Sequence, residues 1–111
     1  VLLHIISKAD WAAAQSAGSI APAGEDFVHC SDRGVVHVTA GKFFHGQSGL
    51  LLLVVDPKLL DVPVRWEAVA DSPLWFPHVY GQIPVAAVAE VHDFPCEPDG
   101  SFILPEAVAA P

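Results

Sequence analysis

Six histidines and two cysteines carry much of the reactive nitrogen and sulfur in this chain, beside 13 Asp and Glu and only 5 Lys and Arg. Three segments concentrate the useful groups. His4 stands inside an apolar opening, His29-Cys30-Ser31 closes a short strand-like run, and Arg65 and Glu67 alternate with Val64 and Trp66. Side chains alternate between the two faces of a strand. His29 and Ser31 therefore share a face, and Cys30 shares the other with Val28. Arg65 and Glu67 likewise share a face opposite Val64 and Trp66. With Val64 and Trp66 turned to the core, His29, Ser31 and Glu67 line one solvent-facing cleft. Such a set offers imidazole, hydroxyl and carboxylate to a polar small molecule. The block Phe76-Pro77-His78-Val79-Tyr80-Gly81 reads as a wall of that cleft, since aromatics, proline and glycine together suit a ligand surface.

Each residue also has a plainer role. His4 between Leu3 and Ile5 fits a hydrogen-bonded core histidine. Ser31 fits a helix cap, Arg65 with Glu67 fits a surface pair, and Trp75-Phe76 fits the core. His37, His45 and His92 fit solvated positions. Metal chemistry has little support. His37 and His45 lie on one helical stripe but are separated by about 12 Å along the axis, too far for one ion. His29 and Cys30 point to opposite faces. A metal shell would need His4, His29 and His78 to converge with Glu67, and no metal is expected. No GxGxxG or HExxH occurs. Gly41-Lys42 is followed by Phe43, not the hydroxyl of a phosphate loop, and Gly46-Gln47-Ser48-Gly49 does not form a nucleophile elbow.

The elements that must position these groups follow from patterning. Leu2 to Ile6 reads as a strand. Ser7 reads as the cap of an Ala-rich helix over Trp11 to Ala17, with Asp10 in its first turn and Gly18 as its stop. Ser19 to Glu25 reads as a loop and Asp26 to Ser31 as a strand. Ser31 or Asp32 caps a second helix running to about His45, with Val36, Ala40 and Phe44 on one stripe. Gly46 to Gly49 reads as a turn. Leu50 to Asp56, apolar until its last residue, reads as a central strand covered on both faces. Val64 to Val69 and Val85 to Val91 read as strands, and Asp71 to Gln82, with its prolines, as irregular. Pro98-Asp99-Gly100 predicts a turn that folds the tail back as a hairpin through Phe102 and Ile103. Several strands follow the second helix through short turns, which favours antiparallel pairing. The expected class is a single α+β domain.

Composition narrows the ligand. The chain has 111 residues, a formal charge of −8 and 52% apolar residues, which suits one folded domain rather than disorder. The acidic balance argues against tight, nonspecific binding to an extended nucleic acid and disfavours an anionic membrane surface. The run Leu50 to Val55 is far short of the roughly twenty residues a spanning helix needs. Val1 to Ile6 has no basic stretch before it, and Lys8 and Asp10 follow at once. No export signal is therefore expected, and the expected compartment is the cytoplasm with Cys30 and Cys96 reduced.

At these residues the sequence resembles a small bacterial family catalogued as a domain of unknown function (number nine-five-two). The resemblance rests on His4 before the Trp11 helix, Phe27-Val28-His29-Cys30-Ser31, and Phe43-Phe44-His45-Gly46 before the apolar strand closing on Asp56. It continues through Trp66-Glu67 and Phe76 to Gly81. The resemblance implies a mostly antiparallel split β-sheet with two main helices, of the type shared by ADP-ribosyltransferases and RNA 2′-phosphotransferases. It implies that His4 holds an adenosine ribose and that His29 or Ser31 supports a nicotinamide ribose. Glu67 then bonds a ribose hydroxyl and stabilises an oxocarbenium-like transition state. Arg65 stands where many such transferases carry Gln or Glu. Phe76, His78 and Tyr80 would complete the binding wall, and Arg33, Lys42 and Arg65 would meet a pyrophosphate. The implied function is a transferase or hydrolase acting on NAD, as substrate, or on an ADP-ribosyl group. A noncatalytic module for a small, anionic or nucleotide ligand is the alternative, as is a protein-interaction domain presenting Trp75-Phe76.

Overall fold

The computed structural model describes residues 1–69 and 72–109 of the chain. In chain order the elements are β1 (Leu2–Ser7), α1 (Lys8–Ala17), β2 (Ser19–Ile20), β3 (Val28–His29), α2 (Val36–Phe43), β4 (Leu50–Val55), β5 (Val64–Ala68), β6 (Trp75–Val79), β7 (Ile83–Pro84), β8 (Val88–Asp93) and α3 (Glu106–Ala109). One three-stranded sheet has the order β1-β4-β8, another β3-β6-β5, and β2 pairs with β7. Every pairing is antiparallel. The architecture is a small α+β domain with few helices.

All of β4 is buried. Its pleat feeds two cores. Leu51, Leu53 and Val55 pack with Trp11 and Ala14 of α1 and with Val28 and Val79 of the second sheet. Leu50, Leu52 and Val54 pack with Val36 and Ala40 of α2 and with Phe94 and Phe102. A strand covered on both faces needs apolar residues at every position, so alternation is absent from its sequence. Both ends of α1 follow their local signals. Ser7 Oγ accepts a bond from the Asp10 N–H at 3.0 Å, and Gly18 takes a left-handed φ of 90° to close the helix on Ala14.

Several expectations need correction. The second helix starts at Val36, and neither Ser31 nor Asp32 caps it through a side chain. The Asp32 carboxylate instead accepts the Gly34 N–H at 2.8 Å, which spends residues 32–34 on a turn. The segment expected to be irregular contains β6, although its first residue, Asp71, lies outside the described residues. Pro77 sits inside β6, and its carbonyl accepts the Cys30 N–H at 3.1 Å. Proline has no N–H to return that bond, which limits the β3 ladder to Val28 and His29. Residues 85–87 form a 3-10 turn, so the Val-rich strand begins at Val88. The turn at Pro98–Gly100 closes through Gly100 N–H to Glu97 O and Glu97 N–H to Ser101 O. Residues 101–105 nonetheless form no strand, because Phe102 leaves to fill the second core. In β5 only Val64 packs on the core, and Trp66 is 48% exposed.

Leu52 is fully buried in the second core. Leu52→Ala should cost about 2–5 kcal/mol in a urea melt, the range for deleting a buried leucine side chain. A loss below about 1 kcal/mol would contradict its central placement.

Candidate functional site

The two large sheets meet at one point. Leu3 N–H donates to Ser31 O at 2.8 Å, and Ser31 N–H donates to Leu3 O at 2.7 Å. In an antiparallel ladder the next such exchange would fall on Ile5 and His29. It does not form, because β3 turns along β6 while β1 stays with β4, leaving Leu3–Ser31 an isolated bridge. His4 Nδ1 lies 2.6 Å from His29 O and takes up that carbonyl. A carbonyl only accepts, so Nδ1 carries the hydrogen and Nε2 keeps a lone pair. Burial holds the His4 imidazole below its usual pKa, so it stays neutral.

A cleft of about 680 Å³ opens where the strands part. Its walls include His4 and Ile5 of β1, Asp10 and Ala14 of α1, Ser19 and Ile20 of β2, and Phe27, His29 and Ser31. Ser31 itself is buried. The volume suits a small organic ligand.

Beyond His29 a second polar array begins. His29 pairs with His78 across β3 and β6, and their rings meet edge to face at 4.8 Å. His78 is 3% exposed and lies flat against Phe27 at 4.0 Å. Its Nδ1 donates to Glu67 Oε1 at 2.8 Å, and Tyr80 OH donates to the same oxygen at 2.6 Å. His78 Nε2 is buried with no partner among the described residues. The Arg65 guanidinium lies 4.8 Å over the Tyr80 ring. The bonds from Tyr80 and then His78 hold the Glu67 carboxyl below the usual carboxylate range. The bond to Glu67 pushes the Tyr80 phenol up. Gly81 permits this placement, because a Cβ there would come within 2.5 Å of Val62.

The structure thus gathers His4, His29 and Ser31 at the cleft, and Glu67, His78, Tyr80 and Arg65 on the adjoining face. His29 and Phe27 form the common wall. The remaining candidates lie elsewhere. Phe76 is buried beside α2 and lines a small cavity with Lys42, whose ammonium sits over Phe43. Arg33 belongs to the 32–34 turn. Sequence reasoning missed Phe27 as a site residue and missed Glu25, whose carboxylate accepts from His29 Nε2 at 2.7 Å. Alternation from His29 would have flagged Phe27; nothing local marks Glu25. Among the described residues no group of three or more His, Cys, Asp or Glu is arranged to hold a metal ion. Cys30 and Cys96 are both free thiols, and burial pushes Cys30 up to about 12. No helix among the described residues is long and apolar enough to cross a membrane.

The profile of a family described as "Protein of unknown function (DUF952)" matches residues 5–91. The crystal structure of protein CC0527 from Caulobacter crescentus is 31% identical, with a TM-score of 0.87 over 98% of each chain. A double mutant of that protein gives 30% identity and a TM-score of 0.86 over 98% of each chain. Its solution NMR structure gives 31% and 0.82, over 97% of this chain and 96% of that one. No curated protein matches the chain.

Tyr80 is the only tyrosine, so absorbance titration reads it directly. Its raised phenol pKa means that the stabilisation from the Tyr80–Glu67 bond is complete below the ordinary phenol value and lost as pH rises through the folded one. The depressed Glu67 carboxyl sets the acid limit: its contribution is present above the unfolded value and lost as pH falls through the folded one. Tyr80 should ionise above about pH 10 in the native protein. Glu67→Gln should bring it down. An ordinary phenol midpoint in the native protein would contradict the shared-oxygen geometry.

Proposed function

The chain belongs to the DUF952 family of proteins of unknown function, and from its site we propose a transferase or hydrolase acting at the anomeric carbon of a ribosylated small molecule. NAD and ADP-ribosyl groups define the substrate class. The observation that carries this reading is the Glu67 carboxylate, kept ionised by Tyr80 and His78 and joined through His78 and His29 to a ligand-sized cleft. Two sheets parting at a single bridge, with His4 and His29 on either side, also fit the split sheet of ADP-ribosyltransferases.

The chemistry follows from the residues. When the bond from the anomeric carbon to the base nitrogen breaks, its electron pair leaves with the nitrogen. Positive charge then builds on the ribose. Glu67 is a fixed anion, and it would stabilise that charge on a ribose reaching past the Phe27–His29 wall. An oxygen of water or of an acceptor completes the carbon and releases its proton to solvent. His4, with its Nε2 lone pair, and His29 would seat the sugar hydroxyls. The Phe27 ring lies between the cleft and the carboxylate, so it would contact the base.

Trp75 is 60% exposed and Trp66 48% exposed on neighbouring strands, which favours a protein-interaction role as the second reading. The first reading predicts that NAD, ADP-ribose or nicotinamide riboside at millimolar concentration raises the melting temperature. It also predicts that Glu67→Gln lowers base release about 10²–10³-fold while the shift persists. Shifts without turnover in the native protein would indicate a binding module instead. No shift with any of the three would overturn the reading.

A further inference from the structure

The chain has 5 cationic Lys and Arg side chains, and none lines the cleft. Lys8 reaches Asp93 at 3.9 Å, Lys42 lies over Phe43 and Arg65 over Tyr80. Arg33 belongs to the 32–34 turn, and Lys58 to the 3-10 turn at Pro57–Leu59. None of the three bases that would have met a pyrophosphate is part of the cleft lining.

The groups that do line the cleft disfavour an anion. The first turn of α1 enters its wall, and helix N-termini attract negative charge. That position already holds a carboxylate, Asp10, which is part of the lining. His29 Nε2 is bound to the Glu25 carboxylate. Ser19 Oγ is committed to Gln82 at 2.6 Å. The other polar groups in the wall, His4, Ser7, Ser31, Thr39 and Gln47, carry no fixed positive charge, and most of the remainder is aliphatic. A phosphate entering here would stand beside the Asp10 carboxylate with no Lys or Arg in the lining, in a protein of net charge −8. A ribose diol, by contrast, donates hydrogen bonds, and a carboxylate such as Asp10 accepts them.

The geometry points to an unphosphorylated nucleoside, neutral or cationic, as the ligand this cleft selects over its phosphorylated counterparts, with Asp10 as the residue that sets the preference. This rests on the ribosyl reading above and moves its substrate from NAD and ADP-ribosyl groups, which carry a pyrophosphate, to the unphosphorylated nucleoside.

Calorimetric titration of the full chain at low salt tests it, with adenosine and nicotinamide riboside each set against its 5′-monophosphate. Each nucleoside should bind at least tenfold more tightly than its monophosphate, with the gap shrinking as salt screens Asp10. Asp10→Asn should reduce that ratio several-fold. Asp10 is exposed at the start of α1, and circular dichroism will show whether the variant folds. Monophosphates that bind as tightly as the nucleosides, or a ratio unchanged in Asp10→Asn, would overturn the charge selection and leave the ribosyl reading standing. If all four compounds fail to bind, the nucleoside selection falls, and the NAD and ADP-ribose melting shifts decide the ribosyl reading.

Discussion

The arrangement depends on two backbone hydrogen bonds, the reciprocal pair between Leu3 and Ser31. They tie β1 of the first sheet to the end of β3 in the second, and no further ladder bond follows. One exchange is enough to fix the position of the parting. It brings His4 against His29 and leaves the Ile5 edge of β1 open to the cleft. A second exchange would zip β1 to β3 and close the gap. Pro77 works in the same direction, because it ends the β3–β6 ladder one residue past His29.

Charge is distributed unevenly around this seam. On the far side of His29 one carboxylate oxygen, Glu67 Oε1, accepts from both His78 and Tyr80, and Arg65 stacks on the tyrosine. On the near side Asp10 shares a cleft lining that contains no Lys or Arg. A ligand that bridges the two sides meets a carboxylate on each, and Arg65 over Tyr80 is the cation on the far side. The depressed Glu67 carboxyl keeps that end anionic well into mildly acidic solution. The net charge of −8 is therefore felt at the site as well as over the surface.

Much of this was legible in the residues. Ser7, Asp10 and Gly18 marked α1 because capping is local chemistry. The unbroken run of β4 marked a strand covered on both faces. Alternation placed His29 with Ser31, and Arg65 with Glu67. What was hidden depended on distant partners. β6 looked irregular because Pro77 and Pro73 argue against a strand, yet β5 pairs along all of Trp75–Val79 and β3 pairs with its last two residues. Trp66 was expected inside, but β5 is an edge strand whose end runs past the core. Lys42 and Arg65 flank the site segments in sequence and still diverge, since Lys42 lies over Phe43 of α2 and Arg65 over Tyr80 beside β5. Adjacency along a chain says little about where long side chains end.

The most direct test of the central claim locates a ribosyl ligand on the protein. Amide proton–nitrogen NMR spectra recorded while nicotinamide riboside is added would do this. The account predicts that the largest shifts fall on Ile5, Asp10, Phe27 and His29, with smaller ones reaching Glu67 and Tyr80. Shifts centred on Val38, Phe43 and Trp75 instead, or none at saturating ligand, would contradict it.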